Sequence, residues 1–133
     1  MYLIDTCVLS EARRRTPQAV NWLRAANPNA IFLSVITIGE IMKGIAMKAR
    51  TDPAAAAVLN RWLDELRLRY AARLLPIDDA VATNWGRLMA QRSRPMADAL
   101  IAATARVNNK VLVTRNVADF TDMGLDLINP WDL

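Results

Sequence analysis

Histidine is absent from this 133-residue chain, and cysteine occurs once, at Cys7. The first absence excludes Ser-His-Asp and Cys-His catalysis, HExxH zinc sites and histidine-based nucleases. The second excludes an internal disulfide framework and any multi-cysteine zinc site. No apolar run reaches the roughly 18 residues of a membrane span, so no membrane role is expected. None of the four glycines falls in a GxxxxGK or GxGxxG pattern, which leaves nucleotide-binding loops without support. The start, MYLIDTC, lacks the basic n-region of a signal peptide and reads as the true N-terminus of a cytoplasmic protein. Chemistry here must come from carboxylates, Lys, Tyr, Ser/Thr or Cys7.

What is present fits one domain spanning 1–133, with 53% apolar residues available for a core. Seventeen Lys and Arg against thirteen Asp and Glu give a net charge of +4. The arginines cluster, at Arg13-Arg14-Arg15, Arg67/Arg69/Arg73 and Arg92/Arg94. A basic exterior suits a polyanion, although the same clusters also read as an ordinary solvated surface.

Short apolar runs predict strands at Tyr2–Ile4, Ile31–Leu33, Arg73–Ile77, Val111–Val113 and Leu125–Ile128. The proline in the third suits a sheet edge. Helical spacing predicts helices over Pro17–Ala26, from Thr37 onward, over Ala54–Tyr70, Ala80–Gln91 and Ala97–Val107. The second and third of these form a helical hairpin, expected to project. The order β-α-β-α-α-β-α-α-β-α-β predicts a parallel sheet covered on both faces. No repeat, low-complexity tract or interdomain linker interrupts it.

Four acids stand where that topology concentrates them. Asp5 follows the first strand and Glu40 lies in the helix after the second. Asp98 begins the helix before the fourth, and Asp119 lies in the loop after it. In open α/β sheets the carboxyl edge is the ligand edge. Bland readings exist for two of them: Asp5 can cap a helix, and Thr37 with Glu40 fits a capping box. One of Asp78 and Asp79 is expected to be a cap and nothing more. Four carboxylates cannot crowd together ionised without compensation, and oxygen-only ligands point to Mg²⁺ or Mn²⁺. Thr6, Ser34, Thr114 and Asn116 are the polar residues available to orient them. An acidic metal pocket in a basic protein suits phosphodiester hydrolysis, with the metal activating water.

LIDT at 3–6, SVITIGEIMKGI at 34–45, ADALIAATA at 97–105, VTRNVADF at 113–120 and NPW at 129–131 occur in one order across essentially the whole chain. In that arrangement the sequence resembles PIN-domain ribonucleases, specifically VapC/FitB-type toxins of bacterial toxin–antitoxin modules. The resemblance implies a PIN-like α/β/α sandwich with strand order 3-2-1-4-5 and a Mg²⁺- or Mn²⁺-dependent endoribonuclease that leaves 5′-phosphate and 3′-hydroxyl ends. Asp5 and Asp98 match the principal metal-binding aspartates and Glu40 the acid on the following helix. The fourth acid falls to Asp119, since position 116 is Asn, and Thr114 matches a polar residue that orients the site. A homodimer is implied, silenced by a cognate antitoxin through which the complex reaches operator DNA. Candidate surfaces for that partner are the helices around Met42–Met47 and Leu59–Tyr70.

The chain departs from the pattern twice: Cys7 stands where many relatives carry Asn, and the loop before Asp98 is short. Cys7 itself reads as a small buried filler. A competing reading is a catalytically weak PIN-fold module that works by binding antitoxin and operator DNA. A receiver-like phosphoacceptor domain lacks its acidic pair and its acceptor Asp here.

Overall fold

The computed structural model describes residues 1–133. Five parallel strands form one sheet in the order β3-β2-β1-β4-β5: β1 (Tyr2–Ile4), β2 (Ile31–Ser34), β3 (Leu74–Leu75), β4 (Val111–Val113) and β5 (Leu127–Ile128). Tyr2 pairs with both Ile31 and Val111, so β1 is central, and β3 with its trailing Pro76 lies at an edge, as expected. Six helices cover the sheet: α1 (Thr6–Arg13), α2 (Pro17–Ala25), α3 (Val35–Ala49), α4 (Pro53–Arg69), α5 (Asp79–Gln91) and α6 (Met96–Val107). Two helices, not one, link β1 to β2. Between β4 and β5 there is only a 3-10 turn, Val117–Asp119, where a helix was expected.

Strand alternation sends consecutive residues to opposite faces. Ile4, Leu33 and Val113 join Val8, Ile41, Ile45, Leu63 and Leu66 in one core. Leu3 and Leu112 join Val81, Leu88, Ile101 and Phe120 in the other. The two sides of the hairpin, α3 and α4, therefore bury Ile41, Ile45, Leu63 and Leu66, while Met47 and Leu68 stay exposed on its outside. No helix is long and apolar enough to cross a membrane.

Helix starts follow strand ends closely, which is what brings side chains to the carboxyl edge. Asp5 caps α1, Ser34 caps α3, Asp52 caps α4 and Asp78 caps α5, each accepting a bond from a backbone N–H one to three residues on. The capping-box expectation for Thr37 and Glu40 is corrected: Ser34 already takes the Ile36 N–H at 3.1 Å, so Thr37 lies within α3 rather than before it. The chain turns from α6 into β4 through Asn109 at φ 53°, a left-handed conformation asparagine tolerates.

Arg94 is also corrected. The expectation placed it in a basic exterior cluster, but its side chain is only 2% exposed. It is spent on bonds inside the protein.

Candidate functional site

Asp5 leaves the end of β1 with its backbone N–H on the Val113 carbonyl, 2.9 Å away, so the central strand pair fixes its position. Its carboxylate is buried and held from both sides. Oδ1 accepts the Thr6 N–H at 2.8 Å, and Oδ2 accepts the Thr114 hydroxyl at 2.8 Å and the Cys7 thiol at 3.4 Å. Thr114 is oriented in turn by the Asn116 N–H, 3.0 Å from its Oγ1. The cap weighed from sequence is present, and it engages Oδ1 while the Thr114 and Cys7 donors engage Oδ2. Burial raises the Asp5 pKa, against these donors, and Asp119 adds to the rise.

Asp98 sits in the first turn of α6, half-buried. Its pKa is pushed up to about 6, first by burial and then by the negative charges of Asp5, Asp119 and Glu40. Asp5, Asp119 and Glu40 are thus each within electrostatic reach of Asp98. Asp119, ending the 3-10 turn, and Glu40, one turn into α3, are exposed on the rim.

Glu40 is positioned by a hydroxyl pair. Thr6 Oγ1 lies 2.7 Å from Glu40 Oε1 and 3.0 Å from Thr37 Oγ1, and Thr37 is fully buried. A hydroxyl carries one proton. With Thr6 donating to the carboxylate, Thr37 must donate to Thr6, giving a chain Thr37–Thr6–Glu40 that leaves Oε2 free. Thr37 was read from sequence only as a cap; its three-residue spacing from Glu40 could not reveal a partner in α1.

Ser34, by contrast, spends its hydroxyl on the Ile36 N–H, and the site receives nothing from it but the placement of α3. Asn116 contributes its backbone N–H to Thr114. Cys7 is half-buried and does more than fill space. Burial and the neighbouring Asp5 push its thiol up to about 11, so it stays protonated and serves as a donor, not a nucleophile.

No three acidic or thiol groups stand close enough to grip an ion as a ready-made set. The donor chemistry nevertheless fits a hard divalent cation: oxygens only, two inner carboxyls raised by burial and mutual charge, and two flanking acids on separate elements. A cavity of about 500 Å³ lies elsewhere, among Leu23, Trp62, Tyr70, Arg24 and Arg69. It carries no acid, so the clustered carboxylates are the candidate site.

The sequence profile of the PIN domain matches residues 2–124. The chain is 34% identical to a VapC ribonuclease, Y4jK, of Sinorhizobium fredii over 99% of both sequences. It is 31% identical to Toxin FitB of Neisseria gonorrhoeae over 98% of this chain and 99% of that protein. Among solved structures, FitAB bound to an IR36 DNA fragment contains a chain that superposes with a TM-score of 0.87 at 30% identity, covering 100% of this chain and 97% of that one.

Proposed function

This chain belongs to the PIN-domain family, and from that premise we propose that it is the endoribonuclease toxin of a toxin–antitoxin pair, cutting RNA phosphodiester bonds with the help of Mg²⁺ or Mn²⁺. The observation that carries the reading is Asp98, whose carboxyl is lifted by burial and then by three other acids arriving from three other elements. Uncompensated, that cluster costs stability, so it implies a use. The names of Y4jK and FitB supply the substrate class and the toxin role. The whole chain, 1–133, acts as one PIN domain.

Asp5 and Asp98 would hold the cation, with Asp119 beside them. When bound, such an ion supplies a water of lowered pKa and positive charge for the phosphoryl oxygens. Thr114, Cys7 and the Thr6 N–H fix the rotation of Asp5, so that its carboxylate would be preorganised to hold the cation. Glu40, steered through Oε1 by Thr6, takes the attacking water's proton on Oε2. The water oxygen bonds to phosphorus, the P–O3′ bond breaks in line, and the departing O3′ takes a proton from solvent, so that the products carry a 5′-phosphate and a 3′-hydroxyl. Thr6→Val, which removes the hydroxyl but keeps its volume, should lower kcat by about tenfold with little change in KM, as loss of a positioning bond does. An unchanged kcat would remove Thr6 from this role.

The FitAB complex on DNA supports a cognate antitoxin as partner and operator DNA reached through it; a homodimer of this chain is part of the same proposal. The catalytically weak binding module is the poorer reading. The Cys7 departure that motivated it leaves Asp5 with a donor. The direct test is a mixed RNA pool incubated with the purified protein, freed of any partner, in Mg²⁺, Mn²⁺ or EDTA. Cutting in a metal and not in EDTA is expected; no cutting with either ion overturns the proposal.

A further inference from the structure

We propose that the groove running from Glu40 between α1, α3 and α4 is a subsite for the single-stranded RNA flanking the scissile phosphate, a deepening that rests on the ribonuclease reading above. The groove has a volume of about 340 Å³. Thr6 and Glu40 line it, so it is continuous with the acidic cluster. Glu40, Gly44 and Lys48 are spaced by four residues and share one face of α3, which carries the groove about 12 Å along the helix. Exposed Arg13 of α1, Arg14 at its C-terminal cap (3.5 Å from the Glu11 carboxylate) and Lys48 of α3 are its cations, and Glu40 is the one acid in its lining. The half-buried Trp62 ring forms part of the floor, with the Arg13 guanidinium 5.8 Å from its centroid.

A chain of phosphates approaching four carboxylates is repelled at the reacting bond, and needs positive charge on the path beside it. Three cations along a channel joined to those carboxylates supply that charge. An indole with a guanidinium over one face of its ring offers a base an aromatic and cationic surface, and stacking on such surfaces holds single strands without sequence demands. An apolar peptide segment would instead favour the 500 Å³ cavity beyond Arg13, whose lining is mostly hydrophobic.

Gly44 makes the groove testable without harming the fold. A Cβ there meets nothing within 4 Å, and a helix interior gains from losing a glycine. Gly44→Phe therefore places a ring in the groove while the melting temperature stays level or rises. KM for RNA oligonucleotides should rise by about tenfold, the loss of one stacked base, with the change falling on KM and not on kcat. In a second variant, Lys48→Gln, the slope of log KM against log salt should flatten by about 0.7, one phosphate contact on a single strand. RNA cutting with KM within about twofold of the unaltered protein in Gly44→Phe, and an unchanged salt slope in Lys48→Gln, overturns the subsite and leaves the ribonuclease standing. Loss of binding to a partner protein by Gly44→Phe with RNA KM unmoved also overturns it, and gives the groove to a peptide. An unaltered protein that cuts no RNA overturns both proposals.

Discussion

Replacing Asp98 with Asn is expected to lower RNA turnover by about 10³-fold, the scale on which loss of one preorganised charged group acts in such sites, while the protein melts no earlier than before. The two halves of that result come from one cause. Asp98 is half-buried among Asp5, Asp119 and Glu40, and its pKa stands at about 6 against an ordinary 3.8. Its ionised form is therefore disfavoured in the fold, and a carboxyl held that way marks a candidate for function. Asn preserves the shape and removes the charge. Linkage gives a second readout. For a carboxyl whose folded pKa is raised, the folded state holds its proton longer than the unfolded state does. Stability then falls as pH rises from about 4 to about 6, and is level above that window. Thermal melts in EDTA across these pH values should show this fall in the unaltered protein and a shallower one in Asp98→Asn. Retained metal-dependent cutting by the variant would remove Asp98 from the site. A melting temperature that drops would make it a structural residue instead.

Much of this was legible from sequence because the topology is local. A strand followed within a residue by a helix must deliver its last side chains to the carboxyl edge, so Asp5 could be placed by Tyr2-Leu3-Ile4 alone. The same logic expected a cap at Asp78 or Asp79, which the fold gives to Asp78, and β3 as an edge strand. Two features were not legible, both because a local pattern had a distant partner. Thr37 and Glu40 satisfy the spacing of a capping box, yet the cap is Ser34, already turned into position by the end of β2. Both residues bond instead to Thr6, more than thirty positions earlier. Cys7 reads as filler by composition, and only the fold shows its sulfur 3.4 Å from Asp5. The acids announce themselves by type and position, whereas their supports are ordinary hydroxyls and a thiol.

Arg94 is the other residue whose pattern misled, and its removal should produce the largest loss of stability among the charged side chains. Three of its bonds converge on one buried guanidinium: Nε donates to the Leu88 carbonyl at 2.9 Å, Nη2 to Gln91 Oε1 at 3.0 Å and Nη1 to Asp122 Oδ1 at 2.9 Å. The first two close the last turn of α5, where helix carbonyls lack partners of their own. The third ties that end to the loop three residues past Asp119. Arg94 thus spans the two segments that set Asp98 and Asp119 against each other. Arg94→Ala leaves the Leu88 carbonyl unpaired and opens a hole where the stem packed, for a cost of about 2–4 kcal/mol. In a chain of this size that is a melting temperature lower by about 10 °C. Arg94→Lys should recover little, since an ammonium cannot reach three acceptors in a fork. Arg92, whose contact to Asp122 is exposed on both sides, should matter far less when replaced. The pair also sets an acid limb: the hydrogen bond from Arg94 holds the Asp122 carboxyl below its ordinary range, so its contribution is present above about 4 and is lost as pH falls through the lowered value. Acid melts of Arg94→Ala should lack that loss. Turnover should fall along with stability, through the displaced acids, even at temperatures where the variant is folded. A variant melting within about 2 °C of the unaltered protein would mean that the α5 end and the Asp122 loop hold their places without this bridge.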